Sequence, residues 1–239
     1  MESIKSSEIK RLSLFLQQGT QAYVYHDKKN AYKLYKYNYK MEIIFNLMDI
    51  EYQLERLSRI NLNSYVTPKF KITDKRGFLA GYGMDYIKAK TVNRLSLRVN
   101  TSIFIDDLKR LEEDTYKISE EKYILRDKSV KNVLYNEELG FKLIDLDNGI
   151  FLDEKTSDDI YRDNIKFIKD IIKGSIYGVS PDDKIATYDK ELAKCLYNNE
   201  SLTDFIEYLE SGSKREKTLI KDIIKRRSDL IITKDYYGH

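Results

Sequence analysis

Two carboxylates and one amide occur where short apolar runs end in "YILRDKSVKNVLYNEELGFKLIDLDNG", residues 123–149. They are Asp127, Asn132 and Asp145. A hard divalent cation such as magnesium prefers oxygen ligands of this kind, and a carboxylate can also orient a hydroxyl nucleophile. Taken singly, each residue is compatible with a polar turn or with a strand end that an Asp or Asn caps. Taken together, in this order, the three favour a reaction site.

Composition excludes several other kinds of site. Cys195 is the only cysteine and His26 and His239 are the only histidines, so we expect no internal disulfide framework and no zinc cluster. Catalysis by Ser-His-Asp or Cys-His groups is not expected either. The net charge of +3 is too close to neutral to indicate a nucleic-acid-binding surface, so nucleic acid is not an expected partner.

Length and hydropathy predict a folded protein. The 239 residues can form one large domain or two lobes that share a cleft, and 41% of them are hydrophobic. The first residues contain no apolar core of signal-peptide length, and no segment has the ~20 apolar residues of a membrane span. We therefore expect a soluble protein in a reducing, cytoplasmic setting.

The order of elements changes near residue 88. "SLFLQQGTQAYVYHDKKNAYKLYKY" predicts three antiparallel strands, "YKMEIIFNLMDIEYQLERLSRI" a helix, and "VTPKFKITDKRGFLAGYGMDYIKA" two further strands around a turn. Helical spacing then dominates in "SIFIDDLKRLEEDTYKI", "DDIYRDNIKFIKDIIKG", "ESLTDFIEYLES" and the basic "KREKTLIKDIIKRRSDL". The basic segment is interpreted as a solvated helix face.

These segments occur in the order of the protein-kinase-like superfamily over residues 12–165. "LRDKSVKN" resembles the catalytic loop and "LIDLDNG" resembles the metal-binding triplet. The resemblance implies that Asp127 accepts the proton of the acceptor hydroxyl and that Asn132 and Asp145 bind magnesium. Ser129 stands where many Ser/Thr kinases have a phosphate-steadying lysine, whereas Lys131, one residue before Asn132, resembles the basic position of tyrosine kinases. The resemblance therefore implies that Lys131 steadies the transferred phosphate.

The upstream segment "NAYKLYK" resembles the third strand of that family, with Ala31 and Lys33 at its Ala-x-Lys positions. The resemblance implies that Lys33 contacts the α- and β-phosphates of ATP. Lys36 is the alternative, but strand alternation places it on the opposite face from Lys33. The carboxylate partner of Lys33 is assigned to Glu51 on the following helix, and Glu55, one turn later, remains the alternative.

Two further segments resemble the nucleotide-binding parts of the family. "LQQGTQAYV" resembles the phosphate-covering hairpin, with Gly19 as its retained glycine, although it has fewer glycines than that loop usually contains. "GMDYIKA" resembles the link between lobes. There Asp85 and Ile87 would bind adenine through their backbone, and Met84 would stand behind it.

The chain also departs from the family pattern. Leu125 replaces the usual histidine, and Leu146 with Asp147 replaces Phe-Gly after Asp145. The activation segment is short, as in atypical bacterial protein kinases and in small-molecule kinases of the aminoglycoside or choline type. Thr156 and Ser157 could be phosphorylated, but a helix N-cap is the favoured interpretation.

We therefore expect an α+β, bilobal protein-kinase-like fold. Residues 10–87 would form an antiparallel sheet with one helix, and residues 88–239 a mostly helical lobe. The expected function is ATP- and magnesium-dependent transfer of the γ-phosphoryl group to a hydroxyl, favouring that of a protein Ser, Thr or Tyr. The alternatives are a nucleotide-responsive pseudokinase and a small-molecule kinase. The sequence leaves the acceptor, the regulation and the oligomeric state open.

Overall fold

A computed structural model describes residues 1–14, 21–36, 47–92, 99–127, 129–177, 194–195 and 201–213. The chain divides into two compact units. The first consists of Met1–Lys88 together with Ile144–Asp147, and the second of Ala89–Leu143 and Asn148–His239. The first unit thus begins before residue 10, where the sequence analysis started its sheet lobe, and it also takes four residues from the predicted metal-binding segment. The basic segment at residues 214–230 lies outside the described residues.

The first unit is built on a six-stranded sheet in the order β1-β5-β6-β4-β3-β2. All its pairs are antiparallel except β1 with β5, which is parallel. The strands are β1 (Glu2–Lys5), β2 (Ser13–Leu14), β3 (Ala22–His26), β4 (Asn30–Tyr35), β5 (Phe70–Thr73) and β6 (Leu79–Asp85). The unit also contains a short helix, α1 (Ser6–Ile9), and a longer one, α2 (Leu47–Leu57).

Turn-forming side chains connect these strands as the sequence predicts. Asp27 accepts hydrogen bonds from the backbone N–H groups of Lys29 and Asn30, both at 2.7 Å, and so closes the β3–β4 turn. Asp74 accepts from the N–H groups of Arg76 and Phe78 at 2.8 and 3.0 Å in the β5–β6 turn. Short Asx-type turns therefore fix the register of the antiparallel pairs.

The sheet buries apolar residues on both faces. One face contains Ala31, Tyr35, Tyr82 and Met84, and Leu54 of α2 packs in the same cluster. The other face contains Tyr32, Leu34, Ile72 and Ala80, with Ile9 of α1 packed among them. Alternation along β4 therefore sends successive side chains into two separate parts of the core.

The second unit is mostly helical. Its helices are α3 (Thr101–Glu120), α4 (Ser157–Tyr177) and α5 (Thr203–Gly212), and α3 contacts both of the others. Two small sheets have the orders β10-β9-β7 and β11-β8. Their strands are β7 (Lys90–Thr91), β8 (Tyr123–Ile124), β9 (Val133–Asn136), β10 (Gly140–Leu143) and β11 (Ile150–Phe151). Among the described residues, no helix is both long and apolar enough to cross a membrane.

The predicted cap of α4 is confirmed. The Thr156 hydroxyl accepts a hydrogen bond from the backbone N–H of Asp159 at 3.2 Å and donates to that residue's carboxylate at 2.6 Å. The Ser157 hydroxyl accepts a hydrogen bond from Lys122 at 3.0 Å. Thr156 therefore satisfies a backbone N–H group at the start of the helix.

Candidate active site

Lys33 lies near the centre of β4, which places its side chain on the face shared with Tyr35. Its partner across the β4–β6 pair is Tyr82, so the two side chains project from the same face of the sheet. A close backbone approach makes this position possible. A Cβ added at Gly81 would lie 1.9 Å from the Lys33 carbonyl oxygen, so only glycine allows β6 to approach β4 at this point.

The Lys33 ammonium is buried between two carboxylates of the segment 144–147. It forms ion pairs with Asp145 and with Asp147, and its distances to the two Asp147 oxygens are 2.8 and 3.1 Å. The Asp147 side chain is only 2% exposed, whereas that of Asp145 is 27% exposed. The tyrosine hydroxyls of Tyr35 and Tyr82 also donate to Asp147, at 3.0 and 3.1 Å.

Burial and charge act in opposite directions on this cluster. Burial disfavours the charged form of Lys33, but the charges of Asp147 and Asp145 outweigh it and raise the lysine pKa above its ordinary value. The pKa of Tyr82 is also raised well above its usual value, first by burial and then by the same two carboxylates. Lys33 is therefore a permanent cation at neutral pH, and Tyr82 is a permanent hydrogen-bond donor.

The backbone of Asp145 is in the left-handed region, with φ of 64°. Few residues other than glycine adopt this conformation, although Asp tolerates it better than most. Such conformations persist where the surrounding structure enforces them, and they concentrate at functional sites. The predicted metal ligand therefore stands at a strained position next to a buried cation.

The predicted pairing of Lys33 with Glu51 is not the one in the structure. Glu51 binds Lys71 of β5 at 2.5 Å, and Glu55 lies 3.6 Å from the same lysine. The degree of burial distinguishes the two pairings. The Glu51 and Glu55 side chains, 40% and 39% exposed, pair with a partly exposed lysine. Buried Lys33 pairs with buried Asp147.

The residues of the predicted catalytic loop lie in the second unit. The carboxylate of Asp127 is half-buried and, among the described residues, accepts one long hydrogen bond, from the Asn148 amide at 3.5 Å. Asn132 ends a short 3-10 helix, Val130–Asn132, and Lys131 is exposed on it. The Asn132 side-chain nitrogen is buried without a hydrogen-bond partner among the described residues.

A buried amide supports the loop that carries Asp127. Asn164 of α4 accepts a hydrogen bond from the backbone N–H of Leu125 at 2.8 Å. Its own amide donates to the Ser119 hydroxyl at 3.0 Å and to the Tyr123 carbonyl at 2.9 Å. Asn164 thus holds the loop from the side of the helix.

The other predicted nucleotide-binding residues lie around the end of β6. Met84 is buried in the sheet core, Asp85 ends the strand and pairs with Lys69 at 2.6 Å, and Ile87 packs against the same core. The chain passes from the first unit to the second directly after this segment, at Lys88. Gly19 lies outside the described residues.

The predicted metal ligands, each taken by itself, carry atoms that magnesium prefers. Asp145 in the first unit has carboxylate oxygens, and in the second unit a half-turn of the Asn132 amide would put its oxygen where the buried nitrogen lies. Within the described ranges, no group of three or more His, Cys, Asp or Glu side chains forms a metal site.

Sequence reasoning missed three of the side chains that build the site. In the sequence, Asp147 marks only a departure from the protein-kinase-like pattern, and Tyr35 and Tyr82 are only strand residues. A signal was present, since Asp147 is two residues after Asp145, and Tyr35 alternates with Lys33 on one strand face. The missing information was the tertiary contact that joins them.

Comparison with known proteins shows the fold. No family model and no curated protein matches the sequence. Among solved structures, the apo GRMZM2G135359 pseudokinase is similar with a TM-score of 0.55 and 13% identity, over 96% of this chain and 97% of that one. The pseudokinase DRIK1 (drought responsive inactive kinase 1), bound to ENMD-2076, has a TM-score of 0.58 and 11% identity over 96% of each chain. The protein therefore has a bilobal, α+β protein-kinase-like fold.

Proposed function

We propose that this protein binds ATP with magnesium and transfers the γ-phosphoryl group to a hydroxyl. The observation that supports this best is the buried Lys33, held by Asp145 and Asp147 in a protein-kinase-like fold. A cation on a central strand is suited to the α- and β-phosphates, and Asp145 stands beside it as a partly exposed oxygen ligand.

Each residue has a distinct task in the proposed reaction. Asp145 and Asn132 would hold magnesium, which when bound neutralises phosphate charge. Lys33 orients the phosphates, and Lys131 steadies the group in transfer. Asp127 orients the acceptor hydroxyl and takes its proton, while the acceptor oxygen forms the new bond to the γ-phosphorus and ADP leaves with the electrons of the broken bond.

The proposed acceptor is a Ser, Thr or Tyr hydroxyl of a protein. The segment between Asp145 and the start of α4 at Ser157 is short. It consists of a 3-10 helix, the two-residue strand β11 and the Thr156 cap, and so offers little chain for docking a peptide. A small-molecule hydroxyl is therefore the alternative acceptor.

One observation favours a second candidate, a nucleotide-responsive pseudokinase without turnover. Asp147 binds the Lys33 ammonium from a position where the protein-kinase-like pattern has glycine, and the two solved structures compared above are of pseudokinases. In such a protein the Lys33 cluster would respond to nucleotide binding while Asp127 would have no catalytic task.

Labelled ATP distinguishes the two candidates. The wild type and Asp127→Asn are incubated with magnesium and γ-labelled ATP, with and without candidate proteins and small hydroxyl compounds. We expect label transfer by the wild type and not by the variant, with equal ATP-induced increases in melting temperature for both. Equal stabilisation without transfer by either protein would establish the pseudokinase, and no stabilisation at millimolar ATP would refute both candidates.

A further inference from the structure

The orientation of Lys33 depends on a carboxylate from an unexpected part of the chain. Asp147 contributes both of its oxygens to the Lys33 ammonium, at 2.8 and 3.1 Å. Asp145 contributes one. Helix α2, which the sequence predicts to supply this partner, directs Glu51 and Glu55 to Lys71 instead.

We propose that Asp147 is the positioning residue for Lys33, in the place of a carboxylate on α2. This rests on the proposed function, since it names the group that holds the phosphate-binding lysine in its working orientation. The inference concerns how the lysine is held and adds no chemical participant to the reaction.

The surroundings of Asp147 fix it in place. Tyr35 donates a hydrogen bond to Oδ2 of Asp147, and Tyr82 donates one to Oδ1. Both tyrosines are buried, and they lie on adjacent strands of the sheet. The neighbouring residues anchor the backbone, because Leu146 is buried and Ile144 packs against the sheet core. A carboxylate held this way has little freedom, so it can fix the ammonium that it binds.

Charge explains why two carboxylates are needed. One ammonium beside two carboxylates leaves one negative charge in excess. If Asp145 binds a metal ion, Asp147 remains as the counter-ion of Lys33. Lys33 then stays charged and oriented despite its burial. With Asp145 alone, the lysine and the cation would compete for one carboxylate.

The test measures Lys33 itself. Asp147→Asn removes the charge and keeps the shape, and Glu51→Gln is the matched control. In the absence of nucleotide, each protein reacts with an amine-specific acylating reagent, and mass spectrometry gives separate rates for Lys33 and Lys71. We expect Lys33 to react about tenfold faster in Asp147→Asn and Lys71 to react faster in Glu51→Gln, each without effect on the other lysine.

Kinetics add a second readout. We expect the KM for ATP to rise about tenfold in Asp147→Asn and to stay within about twofold in Glu51→Gln. Tyr82→Phe, which keeps the carboxylate and removes one donor to it, should shift Lys33 reactivity in the same direction by less. This variant replaces Asp147→Asn if the latter does not fold.

Three results would overturn the proposal. They are unchanged Lys33 reactivity in Asp147→Asn, equal acceleration of both lysines, and a higher KM in Glu51→Gln alone. Failure of the proposed function looks different. A wild type that neither binds nor turns over ATP would refute that function, while the comparison of Lys33 with Lys71 would still decide whether Asp147 holds the lysine.

Discussion

The Lys33 cluster of the first unit and the Asp127 loop of the second differ in how fully their polar groups are bonded. Lys33 and Asp147 are buried and saturated with partners, including two tyrosine hydroxyls. Within the part of the chain that the structure describes, half-buried Asp127 has one long hydrogen bond, and the buried side-chain nitrogen of Asn132 has no partner. The first arrangement suits groups that must stay in place, and the second suits groups that must take up reactants.

The largest expected effect is on the sparsely bonded loop. Asp127→Asn should lower phosphoryl transfer by roughly 10²–10⁴-fold, because an amide cannot take the proton from the hydroxyl that receives the phosphoryl group. The hydrogen bond that it accepts from Asn148 is long, so the folded state should lose little stability. Label transfer and the ATP-induced shift in melting temperature are measured together. Unchanged turnover would remove Asp127 from the reaction, and a lost thermal shift would make it a structural or metal-binding residue.

The next effect is on the saturated cluster. Lys33→Met should reduce the free energy of unfolding by about 3–5 kcal/mol, because it leaves two adjacent carboxylates without their cation. ATP binding should be weakened at the same time. The matched control is Lys36→Met, because Lys36 is partly exposed. Its ammonium nitrogen lies 5.0 Å from the centroid of the Tyr23 ring. Urea unfolding of the two variants measures the contrast, and similar losses would show that the Lys33 cluster is not the more stabilising site.

A smaller effect concerns the hydroxyl groups around Asp147. Tyr82→Phe should destabilise the protein by about 1.5–3 kcal/mol, the range for a hydrogen bond to a charged group. Tyr35→Phe removes the matching donor to the other oxygen and should have a similar effect. Because both donors serve one carboxylate, the double variant should deviate from additivity, and denaturant unfolding of all three proteins measures that coupling. Strict additivity would indicate that the two hydroxyls act independently.

The smallest effect is at the β3–β4 turn and depends on pH. A hydrogen bond from the Tyr32 hydroxyl lowers the pKa of Asp27 and outweighs partial burial, which would raise it. The backbone N–H groups of Asn30 and Lys29 lower this pKa further. A carboxyl whose pKa is lower in the folded state stabilises that state above its unfolded pKa and loses the contribution as pH falls through the folded value. The wild type should therefore be more stable than Asp27→Asn at pH 7, and the difference should shrink below about pH 4. In a Tyr32→Phe background the dependence should be weaker, and a difference that is constant with pH would contradict the assignment.

Local patterns in the sequence predict the frame of the site well. Alternation places Lys33 and Tyr35 on one face of β4, and helical spacing predicts α3, α4 and α5 close to their observed bounds. The turn at Asp74 follows from residue types that bind their own backbone. These features depend on interactions over a few residues, which a sequence displays directly.

Local patterns do not predict the interactions between distant residues. The parallel pairing of β1 with β5 joins segments about seventy residues apart, and the partner of Lys33 lies more than a hundred residues away. Glu51 and Asp147 are both acidic, so either could pair with Lys33. The resemblance to protein kinases favours Glu51, and proximity to Asp145 in the sequence favours Asp147. Burial decides between them, and burial is a property of the folded chain.

Calorimetric titration of ATP, with and without magnesium, tests the central claim that the Lys33 and Asp145 cluster is a nucleotide site. We expect saturable binding by the wild type that requires magnesium, is weakened at least about tenfold in Asp145→Asn, and is retained in Asp127→Asn. Absence of binding at millimolar ATP, or equal affinity of Asp145→Asn and the wild type, would contradict it.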